Sequence, residues 1–230
     1  MRSLDRLKTR CEQLNEIPST LVLKYSQQWF PVVEEFCLSA AEYPGVVVNE
    51  IRIGNWEERV AFEKILQHAT MIAADDLGLS RGALEGCMGH THFRLFESMC
   101  ERLGFVSGAQ LLLLPETIQL CKNIRNLFGT VTGGVAVFSV IESYAHKIFE
   151  HQLPLFLAAK RDGVKVYNES ELDYITLHLK IEDEHAAESK ILVDLLLKSG
   201  TKSKSLEKHI GILTTHFDDY WTAIERHILE

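Results

Sequence analysis

Apolar residues recur along this 230-residue chain at intervals of three and four almost from end to end. That is the period of a helix that buries one stripe. The pattern predicts helices over about 2–15, 19–42, 57–79, 81–103, 112–128, 131–151, 168–199 and 203–229. Pro18, Pro31, Pro44, Pro115 and Pro154 fall near the expected starts or breaks, where a missing N–H costs least. Ser80 suits the cap of the stretch beginning at Arg81. Asn168-Glu-Ser170 leads into the 168–199 helix, and Ser199-Gly200 closes it with a residue that tolerates a left-handed backbone. The 44–54 segment carries β-branched residues; a lone strand there is marginal, so it reads as a loop or a poor helix. With no repeat and no low-complexity stretch, 1–230 reads as a single all-α bundle with its function between the helices.

Composition narrows the picture. The net charge of −8 and the lack of a basic stripe argue against a nucleic-acid partner. Five scattered cysteines with no CxxC read as reduced thiols in a cytoplasmic protein. The first residues are too charged for a signal peptide, and runs such as Leu111–Leu114 are too short to span a bilayer.

The 168–199 helix contains His178-Leu-Lys-Ile-Glu182-Asp-Glu-His185. At about 100° per residue, positions i, i+4 and i+7 share one sector, so two imidazoles and a carboxylate point the same way. That face suits a transition-metal ion. Glu85 and His92, seven apart, share a face by the same arithmetic. Glu142 follows the apolar run Val135–Ile141, and a buried carboxylate there needs a partner or a metal. His146 and Glu150 extend its face, more simply as the polar side of an amphipathic helix. Together Glu85, His92, Glu142, His178, Glu182 and His185 form a nitrogen and oxygen shell suited to two iron or manganese ions.

The order Glu85-x6-His92, then Glu142 after a small-apolar helix, then His178-x3-Glu182-x2-His185, resembles the haem-oxygenase-like diiron oxidases. Within them it looks most like the branch of the chlamydial protein associating with death domains (CADD). The stretch from His178 to Leu197, with His-Ala-Ala-Glu-Ser-Lys from the last histidine, is especially similar. The resemblance spans about residues 20–199. It implies a haem-oxygenase-like bundle of seven to eight helices, two bound irons (Fe/Fe, or Mn/Fe), O2 and a small organic substrate, and a homodimer. One iron would take Glu85, His92 and His185. The other would take His178 and Glu182, with Glu142 bridging or nearby. The family usually has Asp where this chain has Glu182. CADD proteins make p-aminobenzoate from one of their own tyrosines and a lysine. Tyr25 and Tyr43 are the candidate tyrosines, but Gln152 stands where that lysine is expected and Lys147 is the nearest amine, which argues against that chemistry here.

Val137, Val140, Ile141, Phe93 and Phe36 are candidate pocket walls, and Arg94, Arg125 and Lys147 candidate holders of a substrate carboxylate. Two rival readings remain. One is a metal-free, thiaminase-like enzyme on the same bundle, with Cys121 or Cys37 as its thiol. The other is a CADD-like interaction protein. Ile210, Leu213, Phe217, Trp221 and Ile224 on the last helix read as core or dimer interface. A ferritin-like site would need a second E-x-x-H, and only Glu182-x-x-His185 is present.

Overall fold

In this computed structural model, residues 2–79, 90–106 and 111–229 are described. Helix α1 (Arg2–Glu12) is followed by the short strand β1 (Ile17–Pro18), and then by α2 (Ser19–Ile53) and α3 (Trp56–Asp76). Next come α4 (His92–Glu101), α5 (Pro115–Phe128) and α6 (Val131–Leu157). Strands β2 (Ala159–Arg161) and β3 (Val164–Lys165) and a 3-10 turn at Glu169–Glu171 precede α7 (Asp173–Lys198), α8 (Ser203–Ile224) and a terminal π turn, Glu225–Leu229. The fold class is all-α. The strands form one small sheet, β1 parallel to β2 and β2 antiparallel to β3, clipping the start of α2 to the end of α6. No helix among the described residues is long and apolar enough to cross a membrane.

The elements form for local reasons. Asn55 and Glu58 cap α3 reciprocally, each side chain bonding the other's backbone N–H. Thr130 caps α6 by accepting from Gly133 N, and Pro115 occupies the first turn of α5. Gly200 takes φ +87° just past α7, as the closing Ser199-Gly200 predicts.

Three expectations are corrected. Pro31 and Pro44 lie inside α2 rather than at its ends, and residues 44–54 take the helical one of their two readings, continuing α2 as far as Ile53. Each proline removes one backbone hydrogen bond, yet Tyr43 and Val47, one turn apart, are both fully buried, so tertiary packing overrides the local penalty. Similarly, α6 runs through Pro154 to Leu157, because Leu155 and Phe156 are fully buried beyond it. Finally, Asn168–Glu171 forms its own capped 3-10 turn, and α7 begins only at Asp173.

The core is lined by α2, α6 and α8. Leu213, Phe217, Trp221 and Ile224 of α8 are fully buried within this one chain, which makes them core rather than interface. The 81–103 helix is described only over α4; Ser80 and Glu85 lie outside the described residues.

Candidate metal centre

Four helices deliver polar side chains to one interior cavity. On α7 the buried stripe runs Tyr174, His178, Ile181, Glu182, His185, Ser189, Leu192, which is the helical period. It therefore turns His178, Glu182 and His185 inward with the apolar residues. On α6 the stripe Val135, Phe138, Glu142, Ala145, Phe149 does the same for Glu142. Thr91 caps α4, and His92 is its first residue, only 3% exposed. The cavity has a volume of about 50 Å³ and is lined by His92, Glu142, His178, Glu182 and His185. All five predicted ligands that fall in the described residues meet there.

A sixth polar side chain lines it that the sequence reading missed. Asp76, the last residue of α3, is 4% exposed, and its Oδ1 stands 2.9 Å from His92 Nδ1. The signal was present: Ala61, Ile65, Ala69, Ile72 and Asp76 form one buried stripe, so an acid occupies a core position.

The donors fall into two groups. Donor atoms of Glu142, Glu182 and His185 all lie within 4.8 Å of one another. His185 Nδ1 is 3.5 Å from Glu142 Oε2 and 3.9 Å from Glu182 Oε2. In the other group His92 Nδ1 lies between Asp76 and His178 Nε2, the latter at 3.2 Å. His178 is held tightly. Its Nδ1 donates to the Tyr174 carbonyl at 2.5 Å, Phe149 stacks on its ring at 4.3 Å, and the Tyr174 ring leans against it. The Nδ1 proton is thereby fixed, and Nε2 presents a bare lone pair.

Electrostatics separate these groups. Burial, with the His92 imidazole next, holds the His178 proton affinity well below the ordinary histidine range, so the ring is neutral. Burial and the Glu142 charge push the Glu182 carboxyl well above the usual range, with His185 opposing. For His185 burial disfavours the charged ring, but the hydrogen bond and charge of Glu142, aided by Glu182 and Asp76, outweigh it and raise the pKa to about 10. Asp76 Oδ2, His92 Nε2 and Glu182 Oε2 are buried without a hydrogen-bond partner. Orphaned donors of this kind, oxygen and imidazole nitrogen, fit first-row transition-metal ions.

The wall opposite the donors comes from α2, with Trp29, Val32, Val33, Phe36 and Cys37; Ile141, Ala145 and Ile148 of α6 complete it. Phe36 and Ile141 line the cavity as expected, whereas Val137 and Val140 pack in the core outside it, as does Phe93. The cationic candidates do not reach it: Arg94 pairs with Glu97, Arg125 with Glu35, and Lys147 with Asp5 at 2.9 Å. His146 is about half exposed and Glu150 pairs with Lys8, forming the polar face expected of them. Tyr43 donates to the Val131 carbonyl at 2.8 Å, and Tyr25 bonds His151 at 2.9 Å; neither ring lines the cavity. Gln152 donates to the Tyr25 hydroxyl at 2.9 Å.

Among known proteins, no family model matches this chain, and no curated protein matches it by sequence. By structure it is similar to a CADD-like protein of unknown function from Nostoc punctiforme. The TM-score is 0.69 at 13% identity, covering 99% of this chain and 88% of that one. The likeness is one of fold: the two chains share a CADD-like helical architecture.

Proposed function

We propose that this cavity binds two first-row transition-metal ions, two irons or manganese and iron, and that the protein uses them with O2 to oxidise a small organic substrate. The observation that carries the reading is the convergence of Asp76, His92, Glu142, His178, Glu182 and His185 on one cavity from four separate helices. Surface acids and histidines do not gather in a core unless something compensates them. Two reduced ions, when bound, supply electrons to O2 and generate an oxidant beside the substrate.

The chain's own residues would do the rest. His178 is preset by Tyr174 and Phe149 to offer Nε2. Glu182 and His185, which hold protons in the metal-free protein, release them as cations enter. The apolar α2 and α6 walls confine the cavity to about 50 Å³, on a scale of volume where one water needs about 10–15 Å³. The cavity therefore accommodates ions and a diatomic gas, while an amino acid or a fatty acid requires the walls to part.

Cys37 lines the cavity, which bears on the thiaminase-like alternative. Its thiol is fully buried, and burial together with the Asp76 and Glu142 charges pushes its pKa far up, the reverse of an activated nucleophile. Cys121 sits in a surface groove between α2 and α5.

The test is anaerobic loading with Fe(II) followed by O2. Binding near two equivalents and a transient visible absorption are expected, both abolished in His178→Ala and Glu182→Ala and retained in Cys121→Ala. No binding near two equivalents, with no absorption, overturns the reading.

A further inference from the structure

His92 Nδ1 faces two groups at once, Asp76 Oδ1 at 2.9 Å and His178 Nε2 at 3.2 Å. His178 Nδ1 donates to the Tyr174 carbonyl, which places that proton away from His92 and leaves Nε2 as the acceptor facing it. Asp76 presents a carboxylate oxygen. His92 Nδ1 carries one proton at most, so it can satisfy one of these two acceptors and not both. Asp76 Oδ2 adds a third acceptor, buried and without any partner. No lysine or arginine lines the cavity among the described residues, and His185 turns its Nδ1 to Glu142 and Glu182 rather than to these acceptors, which leaves Asp76 Oδ2 unmatched.

A cation resolves the surplus. Two donors each about 2.1 Å from a six-coordinate ion, at right angles, stand about 3 Å apart. The two separations around His92 Nδ1 bracket that value. We propose that Asp76 is itself a ligand of the metal centre, supplying a carboxylate to the ion held by His92 and His178. The inference rests on the two-metal reading above and adds a residue that the six-residue sequence pattern does not contain. It also improves the charge balance: among the described residues Asp76 joins Glu142 and Glu182, so that three carboxylates rather than two offset the two divalent ions. Asp76 ends α3, so its carboxylate also ties α3 to α4 and α7 through the ion.

The ligand role differs measurably from mere orientation of His92. An outer carboxylate that only orients a ligating histidine contributes about 10–100-fold in affinity while both ions still bind. Asp76→Asn keeps an oxygen able to accept from His92 but removes the anionic donor. Wild-type and Asp76→Asn protein are titrated anaerobically with Fe(II) and, separately, with Co(II), following bound metal by elemental analysis and the Co(II) ligand-field absorption. Two equivalents in the wild type and one in Asp76→Asn are expected, with Asp76→Glu returning toward two. The metal-free variant should melt no lower than the wild type, which separates lost ligation from lost fold. Two equivalents in Asp76→Asn, with affinity within the range of an outer carboxylate, overturn the inference and leave the two-metal reading standing. A wild type that binds neither ion overturns both.

Discussion

Gly134 of α6 lies flat against the ring of Tyr43 in α2: a Cβ built on it would stand 2.2 Å from Tyr43 Cε2. The Tyr43 hydroxyl then reaches the Val131 carbonyl at 2.8 Å, fixing the crossing of α2 and α6 one turn from the start of α6. That crossing sets where Glu142 faces the α2 wall. Gly134→Ala should therefore destabilise by about 1–3 kcal/mol, the cost of forcing a methyl into a packed contact. Gly211→Ala on α8, where an added Cβ meets nothing within 4 Å, should stabilise by about 1 kcal/mol. Urea unfolding of both variants checks the pair; equal effects at the two sites would contradict the close approach.

Acid sensitivity should trace to His151. The ring is fully buried, bonded to Tyr25, and burial lowers its pKa to about 3. In the unfolded chain it titrates near the ordinary value of about 6.5, so between these limits the unfolded state binds the proton first. Stability is then complete above about pH 6.5 and falls as pH drops toward 3, by up to about 1.4 kcal/mol per pH unit. From pH 7 to pH 5 this single group should remove about 2 kcal/mol. Unfolding midpoints at both values are compared for wild type and His151→Gln; the variant should lose that part of the pH dependence.

Metal and proton compete for the same atoms, which predicts opposite effects of one substitution in two states. Glu182→Gln removes a buried carboxyl that burial and Glu142 already force to hold a proton. Without metal the variant should melt at or above the wild type. With Fe(II) or Mn(II) at about a hundredfold excess over Kd, the wild type should gain about 3 kcal/mol and the variant far less. Chelation should reverse the wild-type gain and loosen α7, read as faster amide exchange over Tyr174–Ser189. An unchanged melting temperature after exhaustive chelation of a metal-loaded sample would count against the site.

The cysteines should sort by position. Burial pushes the thiols of Cys121 and Cys100 alike up to about 12, and that of Cys37 up as well, so exposure separates them: Cys121 is half-buried at a surface groove, whereas Cys37 and Cys100 are sealed in the core. Among the cysteines of the described residues, iodoacetamide followed by peptide mapping should label Cys121 first and Cys37 and Cys100 only on unfolding. Cys37→Ala should still bind two metal equivalents; loss of binding would make the thiol part of the shell.

Much of this architecture was legible in the chain. His178, Glu182 and His185 share a face because helical spacing alone dictates it, and Glu142 betrayed its burial by following an apolar run. The 44–54 segment was only half legible, as a loop or a poor helix, because Pro44 and the β-branched Val46–Val48 argue locally against a helix that Tyr43 and Val47 enforce by burial. Asp76 was missed for a different reason. It sits beside Asp75 in an acidic pair, and only its register with Ile65, Ala69 and Ile72 marks it as inward-facing. Arg94, Arg125 and Lys147 misled as substrate anchors, since a sequence does not show that Glu97, Glu35 and Asp5 already engage them. The predicted ligand Glu85 lies outside the described residues.

The most direct measurement is anomalous diffraction at the iron edge from crystals loaded with Fe(II) under anaerobic conditions. The account predicts two peaks inside the bundle, one beside Glu142, Glu182 and His185 and one beside Asp76, His92 and His178. Iron found only at surface carboxylates, with no peak among these six side chains, would contradict it.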